Sequence, residues 1–392
     1  MGFREDYIYW KICYELMVND RYRIIHLSPD YGEVWLENIV HKSYPLIRLK
    51  RFDIDWSNWL KRDIQGALTN ANHIRKMFLR KKINVLNIYI TSLPPVDSYE
   101  HIINQMHRFE NTNTMLKPVM FDGSDLGGSA RILEEHLGRD VLGFIKSDYD
   151  YDETEYLKNK VLREMERAEK NDRQLLNQAK PLFTYVFLGL QVFVFMLLEM
   201  SGGSTNPLVL LTFGAKYNPL ILEGEWWRLI TPVFLHIGFL HLFMNSLALY
   251  YLGIAVERIY GRLRFLFIYL FSGFFGALAS FIFSPHLSAG ASGAIFGLFG
   301  ALLFFGTEHR QTFFRTMGMN IIILIVINIV FSLVVPSIDM AGHFGGLIGG
   351  FLAAGITRLP GNTRMNKQLI YLAVTILLTG IGLIYGFQHP TL

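Results

Sequence analysis

The sequence predicts a multi-domain chain in which a cytoplasmic α/β domain is followed by an all-α polytopic membrane domain. Charge is divided unevenly along the 392 residues: residues 1–180 carry 27 basic and 27 acidic side chains, whereas residues 181–392 carry only 10 and 6. Long apolar runs follow residue 180. The loops between those runs alternate between many and few basic residues, which indicates how the chain is oriented in a membrane.

The composition also excludes several classes of protein. The formal net charge is only +4 and no basic block is present, so nucleic acid is not an expected partner. The single cysteine, Cys13, excludes a disulfide framework and a cysteine-rich metal site. The start of the chain lacks the apolar run of a cleavable signal peptide, so we expect none.

Residues 1–150 are predicted to form the α/β domain. Short β-prone runs bounded by turn residues indicate strands, and longer charged segments indicate helices. The predicted elements are a helix at 5–18, strands at 22–27, 33–37 and 44–50, a helix at 57–80, a strand at 83–90, a helix at 97–109, a strand at 115–121 and a helix at 129–137. Their order is similar to that of restriction-endonuclease-like folds. However, no properly spaced Glu-x-Lys follows Pro29-Asp30, so we do not predict a nuclease.

Residues 151–180 are predicted to be a charged helical linker, because the helix at about 154–178 has no wide apolar stripe. Seven apolar runs of roughly 17–22 residues follow, the length that crosses about 30 Å of hydrocarbon. They lie at 181–200, 236–256, 264–284, 290–306, 320–336, 341–357 and 368–387. Residues 181–360 contain the first six, and residues 361–392 contain the seventh and a short tail.

The basic residues indicate which side of the membrane each loop faces. Eight arginine and lysine residues, Arg364 among them, lie in loops 257–264, 307–319 and 358–367, whereas the opposite loops contain only Lys216 and Arg228. The positive-inside rule therefore predicts a multi-pass protein of the cell membrane, with its N-terminus in the cytoplasm and its C-terminus outside.

Polar motifs begin the fourth and sixth spans at their outer ends. Ser292 begins the fourth span within Gly290-Ala291-Ser292-Gly293, where small neighbours leave its hydroxyl accessible and free helix N–H groups face a developing negative charge. His343 begins the sixth span. Glycines at four-residue steps allow the two helices to approach closely, which would make His343 the base for Ser292. On its own, the first motif also fits a serine that only packs between helices.

A third polar motif begins the second span. His241 and Asn245 are four residues apart and share one helical face, and both can donate hydrogen bonds, as an oxyanion hole requires. Zinc is the alternative, because His236 lies in the same segment. The five-residue spacing of the histidines and the lack of His-Glu-x-x-His do not fit a zinc protease.

Together these motifs resemble those of the rhomboid intramembrane serine proteases in order and in spacing. The shared set is Trp227-Arg228, His236-x4-His241-x3-Asn245, Glu257-x3-Gly261, Gly290-Ala291-Ser292-Gly293 and Ala341-Gly342-His343. The resemblance covers about residues 181–360, the six-helix core, and some members of the family append a seventh helix. It implies that Ser292 is the nucleophile and His343 the general base. It also implies an oxyanion hole of His241, Asn245 and the Ser292 backbone N–H.

The resemblance gives other residues structural roles. Trp227 and Arg228 would pack in a membrane-embedded loop after the first span, and Glu257 would tie helix ends and loops together. Phe296, where some members of the family have Tyr, would stack on the His343 ring. Asp339 is the only carboxylate near His343 in the sequence. We expect it to be solvated in the loop after Pro336, with orientation of the histidine as the alternative.

The leading hypothesis is therefore a serine endopeptidase that cleaves transmembrane segments of membrane-anchored substrates near the outer leaflet, without a cofactor for catalysis. A catalytically inactive family member that binds membrane clients is the second hypothesis, and a transporter is the third. The presence of Ser292 and His343 argues against the second hypothesis. The sequence has no internal repeat of the kind that many transporters have, which argues against the third.

Residues 1–150 are expected to regulate the protease. Acidic residues in this domain and at the start of the linker would suit a divalent cation, which prefers carboxylate oxygens, although a solvated acidic linker is the alternative for 148–155. A cytoplasmic partner protein or the cytoplasmic tail of a substrate is an equally open ligand. The acidic residues are Asp122, Asp125, Asp148, Asp150, Asp152, Glu153 and Glu155.

Overall fold

The computed structural model describes residues 2–38, 41, 43–143, 150–335, 338–361 and 365–391. Asp148 of the acidic stretch, Pro336 and Arg364 lie outside these ranges. The chain divides into two compact units, Met1–Asn171 and Asp172–Leu392, and the division falls within the segment predicted to be a linker.

The first unit is an α/β fold, as predicted, and its described residues form a six-stranded sheet. Its elements agree with the predicted ones within a few residues, with one exception described below. They are α1 (Phe3–Val18), β1 (Arg23–Leu27), β2 (Glu33–Glu37), β3 (Leu46–Arg51), α2 (Ser57–Met77), β4 (Ile83–Thr91), α3 (Glu100–Ile103), β5 (His107–Arg108), β6 (Thr114–Asp122), α4 (Leu126–Leu137) and α5 (Tyr151–Leu176), which crosses the division between the units.

The strands are arranged in the order β1-β2-β3-β4-β6-β5. β3, β4 and β6 run parallel, while β1, β2 and β5 pair antiparallel with their neighbours. In β4, Leu86, Ile88 and Ile90 pack in one apolar cluster with α1, and Val85 and Tyr89 pack in another with α2. A central parallel strand is buried on both faces, which explains its nearly continuous apolar sequence.

The predicted helix at 97–109 is wrong for most of its length. Only Glu100–Ile103 is helical, and His107–Arg108 pairs antiparallel with β6. The chain reverses direction at Asn111, whose φ of 53° is the left-handed conformation that asparagine tolerates. The Arg108 guanidinium donates to the Thr112 carbonyl and the Asn113 side chain, which stabilises this hairpin.

A buried ionic network crosses β2, β3 and α2. Arg48 is 3% exposed and donates to Glu33 at 2.8 Å and to Asp63 at 2.5 Å. Lys50 and the Tyr89 hydroxyl also donate to Asp63. Burial alone would raise the pKa of Asp63, but these donors outweigh it and hold the pKa at about 2.

The second unit is helical, and a helix lies at each of the seven predicted span positions. The long helices are α6 (Phe183–Met200), α9 (Phe239–Tyr260), α10 (Arg262–Phe283), α11 (Ser292–Glu308), α13 (Gly318–Val334), α14 (Met340–Thr357) and α15 (Met365–Gln388). Short helices lie between some of them: α7 (Pro207–Thr212), α8 (Asn218–Leu222), α12 (Arg310–Thr316) and 3₁₀ turns at Trp226–Leu229 and Thr231–Phe234.

Five of these helices, α6, α9, α10, α14 and α15, are long and apolar enough to cross a membrane by length and composition alone. α12 and α13 meet that criterion only as a pair, and they are bent by 73°. α11 is apolar but has 17 residues, and its side chains from Ala294 to Phe305 are nearly all buried. The count of seven membrane spans therefore stays a prediction.

Glycine allows α14 to contact α11 and α10 backbone to backbone. A methyl group at Gly346 would lie 1.9 Å from the Gly293 carbonyl oxygen, and one at Gly350 would lie 1.9 Å from that of Gly297. A methyl group at Gly276 would lie 2.8 Å from the Gly342 carbonyl oxygen. No other residue fits these positions, and the predicted close approach of the glycine-lined helices is present in the structure.

Candidate active site

Ser292 is the first residue of α11 and is half-buried. The loop before it is fixed by a hydrogen bond from the Gly290 amide to the Pro232 carbonyl, 2.9 Å long. Gly290 has a φ of 145°, which L side chains rarely adopt. Ser292 therefore stands at a helix N-terminus, where unpaired backbone N–H groups favour a negative charge.

His343 lies in the first turn of α14 and is 9% exposed. Its ring stacks on Phe296, with 4.1 Å between the ring centroids and 16° between the planes. Phe296 is one turn after Ser292 on α11, so this contact puts the His343 ring against the helical turn that begins at Ser292. The stacking agrees with the expectation from the sequence, and phenylalanine achieves it without the hydroxyl of tyrosine.

Ser292 and His343 lie on facing ends of tightly packed helices. Their neighbours are in backbone contact, since a methyl group at Gly293 would lie 3.4 Å from the Gly342 carbonyl oxygen. Among the described residues, no hydrogen bond joins the Ser292 hydroxyl to the His343 ring. A catalytic hydrogen bond is often long in the free enzyme and shortens when the substrate is bound.

The His241 ring lies beside the same loop. The Ile237 amide donates to Nδ1 over 3.4 Å, which leaves the proton of a neutral ring on Nε2. A methyl group at Gly290 would lie 2.8 Å from Nε2 and 3.8 Å from the Ser292 hydroxyl oxygen. The Nε2–H donor and the hydroxyl therefore line the same small space, as an oxyanion hole requires.

Asn245 is one turn further along α9 and is 7% exposed. Its Nδ2 donates to the His241 carbonyl over 3.1 Å. An amide nitrogen carries two hydrogens, so one remains for another acceptor. His236 packs edge-on against His241 at 5.4 Å, and in the described ranges no group of three His, Cys, Asp or Glu residues could hold a metal ion.

Among the described residues, no hydrogen bond joins the Asp339 carboxylate to the His343 ring. It is the N-cap of α14, and its Oδ1 accepts a hydrogen bond from the Gly342 amide at 2.9 Å. This capping role is an ordinary one for aspartate before an apolar helix, and the sequence pattern could have indicated it.

The side chain that is hydrogen-bonded to the His343 ring is instead Ser332, which none of the sequence motifs indicates. Ser332 lies on α13, and its Oγ is 2.9 Å from His343 Nδ1. Both side chains are buried. The only signal in the sequence is weak: Asn328 and Ser332 are polar residues four apart in an apolar span.

Glu257 and Arg228 hold the framework of the second unit. Glu257 is fully buried, and its two oxygens accept four hydrogen bonds of 2.7–2.9 Å from the start of α6. Arg228 donates to the carbonyls of Leu211 and Ala215, both at 2.9 Å, and also to Glu225. Both residues contact backbone groups that a membrane could not satisfy.

The acidic residues of the first unit form no cation site within the part of the chain that the structure describes. Asp122 accepts hydrogen bonds from the Ser124 amide and hydroxyl, and Asp125 caps α4 through the Gly128 amide. Asp148 lies outside the described residues. The regulatory cation therefore rests on the sequence alone.

Comparison with known proteins finds one family model and several similar proteins. The model described as "Rhomboid domain" matches residues 223–360, which contain Ser292, His343, His241 and Asn245. "Rhomboid protease GluP" of Bacillus subtilis (strain 168) is 40% identical over 397 residues, which cover 99% of this chain and 76% of that protein. "Putative rhomboid protease YdcA" of the same organism is 41% identical over 138 residues, 35% of this chain and 69% of that protein. "Rhomboid-like protease 1" of Toxoplasma gondii is 41% identical over 151 residues, 36% of this chain and 51% of that protein.

Proposed function

Since the chain belongs to the rhomboid family and is a multi-pass, serine-type intramembrane endopeptidase, we propose that Ser292 and His343 form its catalytic dyad. The Phe296–His343 stack supports this assignment most directly, because it brings the histidine to the helical turn that begins at Ser292. The contact of Gly293 with Gly342 supports it independently, since these are the chain neighbours of the two residues.

In the proposed reaction, His343 Nε2 accepts the hydroxyl proton of Ser292 while Oγ attacks the carbonyl carbon of the substrate. The tetrahedral intermediate collapses as the protonated His343 donates that proton to the leaving amine. A water molecule, deprotonated by the same nitrogen, then attacks the acyl-enzyme, and the proton passes from His343 to Ser292 Oγ as the ester bond breaks and the second product leaves. No metal or cofactor is needed in these steps.

The oxyanion of the intermediate is assigned to donors from two helices. His241 supplies Nε2–H, and the second hydrogen of Asn245 Nδ2 remains available. The Ser292 backbone N–H at the start of α11 is the third donor. Such donors are already oriented before the reaction, which makes them effective where water is excluded.

The proposed substrates are transmembrane segments of membrane-anchored proteins, cleaved near the outer leaflet. Ser292, His343 and His241 all begin apolar helices, so the reacting groups lie near one surface of the bilayer rather than at its centre. A helical substrate hides its carbonyls in i to i+4 hydrogen bonds, so it must unwind locally before cleavage. Small residues at the scissile bond and Gly or Pro near it would favour this unwinding.

Fluorophosphonate labelling and cleavage of a transmembrane reporter in liposomes test the dyad together. We expect Ser292→Ala to abolish both readouts and His343→Ala to abolish cleavage, with normal membrane insertion of each variant. Ser284→Ala is the matched control. Ser284 is the C-cap of α10, eight residues before Ser292, and its side chain is not assigned to catalysis. Cleavage by Ser292→Ala at the wild-type rate would contradict the assignment, and so would preferential cleavage of unfolded soluble casein.

The regulatory role of residues 1–150 and the orientation of the chain are also proposals. The basic loops support a cytoplasmic N-terminus and an outer C-terminus.

If the first unit regulates proteolysis, a chain that begins near residue 175 should keep the dyad but lose the response of its cleavage rate to the cytoplasmic ligand. Calorimetric titration of the full chain with Mn²⁺, Mg²⁺ and Zn²⁺, repeated with the acidic residues neutralised, tests the cation. No binding at millimolar concentration would eliminate it.

A further inference from the structure

The proposed dyad requires His343 in one particular form. To accept the serine proton on Nε2, the neutral imidazole must carry its own hydrogen on Nδ1. In serine proteases with a triad, a carboxylate bound to Nδ1–H selects this form. Asp339 does not do so here, because its carboxylate caps α14.

The hydrogen bonds of Ser332 determine which atom donates to His343. Ser332 Oγ is 2.7 Å from the Asn328 carbonyl oxygen and 2.9 Å from His343 Nδ1. A carbonyl oxygen only accepts, so the single hydroxyl hydrogen of Ser332 is directed to Asn328. Oγ is then an acceptor towards His343, and Nδ1 must be the donor.

Ser332 is the residue of α13 that is hydrogen-bonded to the His343 ring. Ser332 is 5% exposed and His343 is 9% exposed, while Phe296 covers one face of the ring. The titratable groups that act on His343 are Asp339 at its own helix start and His241 on α9. Neither makes a hydrogen bond with the His343 ring among the described residues.

From this geometry, and resting on the proposed dyad, we infer that Ser332 is a positioning residue that holds His343 as the Nδ1–H tautomer with Nε2 facing Ser292. The arrangement is a neutral equivalent of a triad, Ser292–His343–Ser332, in which Asn328 orients the third hydroxyl. The Nδ1–H···Oγ bond persists when Nε2 gains the serine proton, so Ser332 supports both protonation states of the base. Among the described residues, no carboxylate is hydrogen-bonded to the His343 ring in this arrangement.

Four variants separate positioning from packing. Ser332→Ala removes the acceptor, and Ser332→Thr and Ser332→Val have nearly the same shape but differ in the hydroxyl. Ser272→Ala is the matched control, because Ser272 is buried and donates to the carbonyl four residues earlier, as Ser332 does, but on α10 and without contacting His343.

We expect Ser332→Ala to lower kcat by about 3- to 10-fold, the loss of one neutral hydrogen bond, with KM little changed. Ser332→Thr should be more active than Ser332→Val by a similar factor, and Ser272→Ala should retain wild-type kcat. Equal kcat for the Thr and Val variants, or full activity of Ser332→Ala, would overturn the inference. If both variants fold poorly, the Ala variant and the spectroscopic measurement below still decide.

Nitrogen-15 NMR of the full chain, with His343 assigned by comparison with His343→Ala, reads the tautomer without any cleavage. At neutral pH the wild type should show a protonated Nδ1 and an unprotonated Nε2, and Ser332→Ala should show a mixture. A wild-type ring protonated on Nε2 would overturn the inference. This result does not depend on turnover, so it stays distinct from the outcome for Ser292→Ala, which tests the dyad itself.

Discussion

Gly346→Ala should inactivate the protease without touching any catalytic side chain. The added methyl would lie 1.9 Å from the Gly293 carbonyl oxygen, whereas unstrained contacts of this kind are about 3.5 Å. The neighbouring atom belongs to helix backbone and cannot rotate away. α11 and α14 must therefore separate by about 1.5 Å to accommodate it, and that separation acts on the turns that carry Ser292 and His343.

A displacement of this size has a calculable effect on catalysis. Misplacing reacting groups by about 1 Å costs roughly 100-fold in rate, so we expect at least that loss in kcat for Gly346→Ala. Overpacking should also lower the free energy of unfolding by about 1–3 kcal/mol. Gly380→Ala on α15 is the matched control, because a methyl there has no neighbour within 4 Å. It should be neutral or slightly stabilising, since alanine favours a helix over glycine.

The assay is cleavage of a transmembrane reporter in liposomes, with thermal unfolding of each variant measured in the same detergent. A Gly346→Ala protein that is folded, inserted and as active as Gly380→Ala would refute the argument that the spacing of α11 and α14 sets the geometry of the dyad.

Three further predictions concern residues outside that contact. His241→Ala should lower kcat by roughly 10²–10³-fold. Asn245→Ala should lower it less, because one Asn245 hydrogen is already bound to a carbonyl. Equal losses of kcat for the two variants in the reporter assay would contradict this. Glu257→Gln should lower the free energy of unfolding by about 1–3 kcal/mol, because the amide nitrogen faces at least one backbone N–H in either orientation; unchanged thermal unfolding would contradict this. The folded pKa of Asp63, about 2, lies below its usual 3.8, so its contribution to stability of at most about 2 kcal/mol is present above pH 4 and lost as the pH falls towards 2. Hydrogen exchange of β3 and β4 between pH 6 and pH 2.5 measures it, and an equal pH dependence in Asp63→Asn would contradict it.

The sequence predicted those features that depend on local periodicity. The seven long apolar helices follow from run length alone, and the sheet strands follow from β-prone runs between turns. The stacking of Phe296 on His343 could be predicted because Phe296 lies one turn after Ser292. The helix at 97–109 was wrong because a short hairpin at Asn111 contains no strong apolar period to reveal it.

Side-chain contacts between different helices could not be predicted in the same way. Ser332 on α13 contacts His343 on α14, and no sequence spacing predicts which side chains of two separate helices will meet. The hydrogen bond of Asn245 to its own helix backbone was also missed. Asparagine can use the carbonyl four residues earlier or an external acceptor, and the sequence does not distinguish them.

The number of available hydrogen-bond donors explains why Glu257 is a buried carboxylate whereas the residue beside His343 is a neutral serine. Glu257 is fully buried, and four donors at the start of α6 stabilise its two oxygens in place of water. Ser332 receives one donor, the His343 ring, in an equally buried position. A carboxylate there would lack the other donors, and an undersatisfied buried charge costs several kcal/mol. Burying a serine whose own hydrogen is bound to the Asn328 carbonyl costs much less free energy than burying a carboxylate. A neutral acceptor can therefore fix the histidine tautomer between apolar helices with little loss of stability.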